Sequence, residues 1–394
     1  MSDVSSKDLR LGAAKYLCEL IRCAFSEELV PGELPEGVKL SHVYAVAKHN
    51  SVESMAFYGL RKRDFSDDAE LAAKWKSSVD TALFRQAYFD TEREGIIDEM
   101  EKEGLSYLPL KGIRLAALYP MPGMRSMADN DILYGIVEKD PSGGYRVSDD
   151  SVPEAQSRLS KIMTGRGYTL SEVSSNHDAY SKKPFYNFEM HRDLVPEHEY
   201  CFEYYRDPWK RAVAAEGHGY FFSSEDDYIY NIAHMYMHYN GGGCGVRHIA
   251  DMLVVHDNMG DSLDMEYIGK ELDKLGIREF HDKMYDFMKA VLLDGAELSA
   301  EQEELLLILT GCGTYGSRER LLENRLNDAC RKGSKLSYIR QRLFPDKETI
   351  KRKYPKFYGK PYLMPVLFVY RGFRGIAFGG SRLWKEFKAL LRHK

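Results

Sequence analysis

Leu108-Pro-Leu-Lys-Gly-Ile-Arg-Leu-Ala-Ala-Leu-Tyr-Pro120, followed by Met121-Pro-Gly-Met-Arg-Ser126 and Met127-Ala-Asp-Asn-Asp-Ile-Leu-Tyr134, decides how this chain is read. The pattern predicts a short strand, a glycine turn, a two-turn helix, a Pro/Gly loop, and a strand carrying two acids. Alternate residues of a strand face the same way, so Asp129 and Asp131 project to one side. Paired carboxylates at a strand end can hold divalent cations that clamp a phosphoryl group. Free N–H groups after Gly112, at the start of a helix, can cradle phosphates. A lone Asp-x-Asp is more often a solvated strand end; the preceding turn and helix give this one its interest.

The same stretch resembles the nucleotidyltransferase superfamily, in which a glycine-containing turn and helix precede an acid-x-acid strand. It is more closely similar to an uncharacterised nucleotidyltransferase family with Leu-Lys-Gly, Tyr-Pro, Gly-x-Arg and Asp-x-Asp. Those positions are Leu110-Lys111-Gly112, Tyr119-Pro120, Gly123-Met-Arg125 and Asp129-Asn-Asp131. Weaker similarity extends to Ala47-Lys-His49, Asp207-Pro-Trp209, Glu225-Asp-Asp-Tyr228 and Phe344-Pro345 through Pro365. The resemblance implies an α+β fold with a small mixed sheet, Mg²⁺ (or Mn²⁺) as cofactor, a nucleoside triphosphate as substrate, and an unknown acceptor. Asp129 and Asp131 would hold the metals.

A third carboxylate is expected from a neighbouring strand. In Phe185-Tyr-Asn-Phe-Glu-Met-His191, alternation puts Tyr186, Phe188 and Met190 on one face and Asn187, Glu189 and His191 on the other. Glu189 with His191 resembles the family's acid-x-His strand; an exposed polar face is the plain alternative, and Asp193 is the reserve. Glu189 is assigned as third ligand or general base. Lys111, Gly112 and Arg125 are the phosphate-binding candidates: the glycine for close backbone approach, the cations to stabilise departing pyrophosphate. Surface salt bridges are the plain reading of both cations. Many nucleotidyltransferases carry Ser after the turn glycine, where this chain has Ile113.

A second constellation is His234-Met-Tyr-Met-His238 with Gly241-Gly-Gly-Cys-Gly-Val-Arg-His-Ile-Ala-Asp251. His234 and His238 share a helix face, but position 235 is Met, so the zincin motif is absent. With His191 and Arg247 they are candidates for a nucleotide or acceptor pocket; core histidines, and an Arg247–Asp251 pair within one helix, are the plain accounts.

Around this centre, helices are expected over 6–29, 40–62 and 67–103, the last as one long helix or two abutting ones, with Gly104 as a C-terminal cap. A strand follows at 106–110, a Gly-rich excursion at 139–144 and a helix at 153–166. Strands follow at 168–173, 178–182 and 185–191, and the chain is helical from 224. The resulting division is 1–104 helical, 105–215 the α/β core, 216–332 helical and 333–394 a basic tail. No repeat or low-complexity tract interrupts it.

The 394 residues, 44% hydrophobic and 29% charged, describe an ordinary soluble globular protein. No secretory signal opens the chain, and the six scattered cysteines form no Cys-x-x-Cys pair, which points to reduced thiols and a cytoplasmic setting. The net charge of −5 hides an asymmetry: residues 331–394 carry 18 Lys/Arg against 3 Asp/Glu. Such a tail packs on the acidic body or meets an anionic surface, with residues 362–392 as a membrane-peripheral segment; nucleic acid is not favoured. Three readings remain: an active nucleotidyltransferase, a degenerate nucleotide-binding or interaction protein, and a membrane-peripheral partner in cell-surface polysaccharide assembly.

Overall fold

The computed structural model describes residues 6–63, 68–314, 316, 317, 320, 321, 324, 350 and 354–371. Its elements run α1 (Ser6–Phe25), α2 (Leu40–His49), α3 (Glu53–Leu60), α4 (Ala69–Lys102), β1 (Ser106–Pro109), α5 (Gly112–Ala116), β2 (Asn130–Gly135), β3 (Val137–Lys139) and β4 (Tyr145–Val147). They continue with α6 (Val152–Gly165), β5 (Thr169–Val173), β6 (His177–Lys182), β7 (Tyr186–His191), β8 (Ala212–Ala214), β9 (Tyr220–Phe222), α7 (Ser224–Gly241), α8 (Arg247–Met259), α9 (Met265–Lys274), α10 (Arg278–Met288) and α11 (Ala300–Cys312). The expected α+β class holds. Two compact units divide the chain, residues 1–237 with 245–314, and residues 238–244 with 315–394.

The first unit is built on a five-stranded sheet ordered β1-β2-β7-β6-β5. All pairings are antiparallel except β2–β7, which is parallel. The alternation read in residues 185–191 sorts the two faces. Tyr186, Phe188 and Met190 join Ile132, Tyr134 and Tyr180 in a core with Phe89, Ile96 and Met100 of α4 and Leu159, Ile162 and Met163 of α6. Phe188 is fully buried, its ring 5.5 Å from Tyr168 and 6.2 Å from Phe89; each such side chain contributes about 1.5–3 kcal/mol. The opposite face carries Asp131, Glu189 and His191.

Helix boundaries depart from the sequence reading where polar side chains intervene. The stretch 40–62 is two helices. Asn50 donates its side-chain amide to Val46 O and Thr310 O, and Ser51 takes φ +54°. The bonds Val52 N–H to Ala47 O and Ser51 N–H to Lys48 O complete a left-handed helix end. Likewise α1 stops at Phe25, where the Lys62 ammonium gathers the Ser26 and Leu29 carbonyls. By contrast 69–102 is one helix, capped by Asp68, whose carboxylate accepts from Leu71 N–H at 2.9 Å. Gly104 ends that helix at φ +66°, with Leu105 N–H bonded to Met100 O.

In the second unit, Asn324 donates to the carbonyls of Tyr239 and Asn240, and short 3₁₀ turns cover Pro355–Phe357 and Pro361–Leu363. Residues 372–394, most of the expected surface-binding segment, lie outside the described residues. Among the described residues no helix is long and apolar enough to cross a membrane.

Candidate active site

The β2–β7 register builds the site. Parallel pairing sets Asp131 opposite Glu189 and Leu133 opposite His191. Antiparallel pairing of β6 with β7 then sets His177 opposite His191. Three strands therefore bring Asp131, Glu189, His191 and His177 to one face. Asp129 immediately precedes β2.

Lys111 completes the group from the turn after β1. Leu110 N–H extends the β1–β2 ladder to Asp131 O at 2.9 Å, and Ile113 N–H returns to Leu110 O at 3.2 Å. This closes a β-turn with Lys111 at its first central position, φ +46° and ψ −115°, a conformation that favours glycine. The strained backbone aims the ammonium inward. Lys111 Nζ lies 3.2 Å from Asp131 Oδ1 and 5.9 Å from the centre of the buried Tyr230 ring on α7. His191 Nε2 lies 2.9 Å from the same carboxylate oxygen.

The backbone strain has a measurable consequence. Lys111→Gly and Lys111→Ala both lose the ammonium, but only glycine relieves the turn. The glycine variant is expected to be the more stable by about 1–2 kcal/mol, the reverse of the ordinary loop preference for alanine. Urea unfolding of the two variants side by side reads the difference; equal stabilities would show that the turn stores no strain.

Charge sets the protonation of the group. Burial raises the Asp131 carboxyl, but Lys111 and His191 outweigh it and hold it well below the usual carboxylate range. Burial, then the charges of Asp131 and Asp129, push Glu189 up to about 7. Burial and the Asp131 charge also raise Asp129, against Lys111, Arg247 and Arg125. Desolvation alone would lower Lys111; Asp131, Tyr230, Glu189 and Asp129 reverse that and keep it charged. Burial, then the neighbouring His191 and Lys111, lower His177 to about 4.

This is a concentrated negative site with Lys111 as the cation bonded within it. Three crowded carboxylates, one of them pushed up by burial and its neighbours' charge, match the donor chemistry of a hard divalent cation. Asp131 and Glu189, opposite each other in the β2–β7 register, are the oxygen donors that such an ion would meet.

The other sequence candidates lie nearby but are differently engaged. Arg125 is buried and holds Asp251 of α8 with both ends of its fork, Nε to Oδ1 at 2.7 Å and Nη2 to Oδ2 at 3.1 Å. Tyr119 donates to the same Oδ1 at 2.8 Å. Asp251 is thus held from a distant loop, and the charge of Arg247 on its own helix acts on it as well. Arg247 sits beside that loop, Nη1 3.4 Å from Ser126 O, and its charge acts on Asp129.

Gly112 makes room for a side chain: a Cβ there would come 2.6 Å from Arg125 Nη1. The helix that follows is five residues long, shorter than the two turns expected. Its Ile113 N–H is engaged in closing the turn. Arg114 of α5 ties to Asp227 of α7 at 2.9 Å. The loop between α5 and β2 is also pinned from α3 and α4, by Ser54 to Gly123 O, Tyr58 to Pro122 O and Gln86 to Gly123 N–H.

His234 lies on α7 with its ring 6.3 Å from Tyr230. His238 belongs to the second unit. His177 and Tyr230 are the members that reading the sequence missed. The signal for His177 was available: the three residues Lys183-Pro-Phe185 between β6 and β7 fix a hairpin register that sets residue 177 against 191.

Together these features define the class: an α+β protein whose mixed sheet presents three carboxylates, two histidines and a turn lysine on or beside one face. The chain belongs to the uncharacterised nucleotidyltransferase family, whose model matches residues 36–138 and 151–292. The unmatched interval between those segments contains the tip of the β3–β4 hairpin. Comparison with curated proteins and with solved structures gives no match.

Proposed function

We propose that the protein is a Mg²⁺-dependent nucleotidyltransferase that moves a nucleoside monophosphate from a triphosphate to an acceptor hydroxyl or phosphate. The observation that carries this reading is the β2–β7 register, which sets Glu189 beside Asp131 with Lys111 bonded to Asp131. Asp129, Asp131 and Glu189 would hold the divalent ion, which supplies charge neutralisation at the triphosphate and polarises the α-phosphate.

In the reaction an acceptor oxygen forms a bond to the α-phosphorus. The bond from that phosphorus to the bridging oxygen breaks, and pyrophosphate leaves. Glu189 is either the third ligand or, where it does not ligate, the base that takes the acceptor's proton. Lys111 is the mobile cation placed to follow charge from Asp131 toward the departing pyrophosphate. Arg125 and Asp251 hold the loop that delivers Asp129.

A second reading, nucleotide binding without turnover, is favoured by one feature. Ile113 occupies the position where many nucleotidyltransferases place a phosphate-holding Ser, and its N–H is already bonded within the turn.

The test is a screen of the four ribonucleoside triphosphates with Mg²⁺ or Mn²⁺. The expected result is a metal-dependent rise in melting temperature with at least one nucleotide, and pyrophosphate release once an acceptor is supplied. Nucleotide binding without pyrophosphate release across an acceptor panel supports the second reading. No thermal shift with any metal–nucleotide pair rejects both.

A further inference from the structure

Two histidines beside the carboxylates have a geometry that an oxygen-only metal site does not require. His177 and His191 are cross-strand partners, with ring centroids 5.0 Å apart. Each presents Nε2 at 3.8 Å from the same atom, Glu189 Oε2. One ligand atom from each of the three residues lies within 4.8 Å of the others. A separation of 3.8 Å is too long for a hydrogen bond. It is close to the spacing of donors around one shared ion, since bonds of about 2.0–2.2 Å in tetrahedral array put donors roughly 3.4 Å apart.

The far nitrogens are already held. His191 Nδ1 lies 3.3 Å from Asp193 O, and its Nε2 lies 2.9 Å from Asp131 Oδ1. His177 Nδ1 lies 3.1 Å from Ser174 Oγ, which also lies 3.1 Å from the His177 carbonyl. Both rings present Nε2 toward Glu189 Oε2. Fixing the outer nitrogen in this way is how proteins orient metal-binding imidazoles.

We propose that His177, Glu189 and His191 form a site for a borderline divalent ion of the Mn²⁺-to-Zn²⁺ series, bound through the two Nε2 atoms and the Glu189 carboxylate. Two imidazoles and one carboxylate select such ions over Mg²⁺, which takes oxygen donors and water. The site needs no nucleotide chemistry. It shares Glu189 with the Asp129, Asp131 and Glu189 group proposed to hold Mg²⁺.

The test is a titration of the metal-stripped, full-length protein with Co²⁺ alone, read by visible absorption, which reports imidazole nitrogen on the ion. One equivalent is expected to bind and develop visible bands. His177→Gln and Glu189→Gln should each weaken binding by at least about tenfold and alter the bands, with circular dichroism confirming that the variants are folded.

Folded wild-type protein that develops no bands overturns the proposal. So does equal affinity and an identical spectrum in folded His177→Gln; if that variant does not fold, the same comparison on Glu189→Gln decides. Because no nucleotide is present, failure here leaves Mg²⁺-dependent pyrophosphate release to stand or fall on its own assay.

Discussion

Asp131→Asn is expected to lower metal-dependent pyrophosphate release by at least about 10³-fold, roughly 4 kcal/mol of transition-state stabilisation, while the fold survives. The side chain sits where the site's interactions meet: Lys111 Nζ and His191 Nε2 both reach its Oδ1. Asparagine keeps the shape and an accepting oxygen but loses the charge. A divalent ion held by few carboxylates depends on each of them.

The fold is protected by a second carboxylate. Glu189 is held near 7 by burial and by the charges of Asp131 and Asp129. With one of those charges removed it ionises more readily and becomes the counter-charge for Lys111. The measurement is pyrophosphate release by purified wild type and variant under the metal and nucleotide found in the screen, with melting curves of both. A folded Asp131→Asn protein that releases pyrophosphate at the wild-type rate would move the chemistry elsewhere.

What the sequence made legible follows from periodicity. The strand at 185–191 could be read because residues of alternating character line its two faces. That same alternation placed Glu189 and His191 together. The two acids, the turn and the helical stretch from 224 were visible for similarly local reasons.

Three things were hidden because they depend on distant or conformational facts. The break at Asn50–Ser51 falls inside a continuous helical pattern and is fixed by a hydrogen bond to Thr310, 260 residues away. The positive φ of Lys111 carries no composition signal, since a glycine sits next to it rather than at it. The partner of Arg125 lies 126 residues further on, whereas spacing offered Asp251 a neighbour four residues back. Local pattern names the residues of a site; the pairing of strands and helices decides which of them touch.

Arg125 is the sharpest instance, and its replacement should have the largest effect on stability. Arg125→Ala or Asp251→Ala alone is expected to cost about 3–5 kcal/mol, because each leaves a buried charge without its partner. The pair is bidentate, both residues are buried, and Tyr119 adds a hydrogen bond to the same carboxylate. Replacing both partners with apolar residues, Arg125→Met with Asp251→Leu, removes both desolvation penalties and should recover most of the loss. Guanidinium unfolding of the two single variants and the double variant measures the coupling directly.

The same three proteins also separate two roles for Arg125. If it acts by holding the loop that carries Asp129, restoring stability should restore most of the pyrophosphate release. If its guanidinium also meets phosphate, the double variant should be stable yet retain a raised KM for the nucleotide. The geometry favours the first outcome, since Nε and Nη2 are committed to Asp251 and Nη1 sits 3.3 Å from Met127 Sδ. A double variant that remains as unstable as Arg125→Ala would show that the pair is not the fastener between this loop and α8.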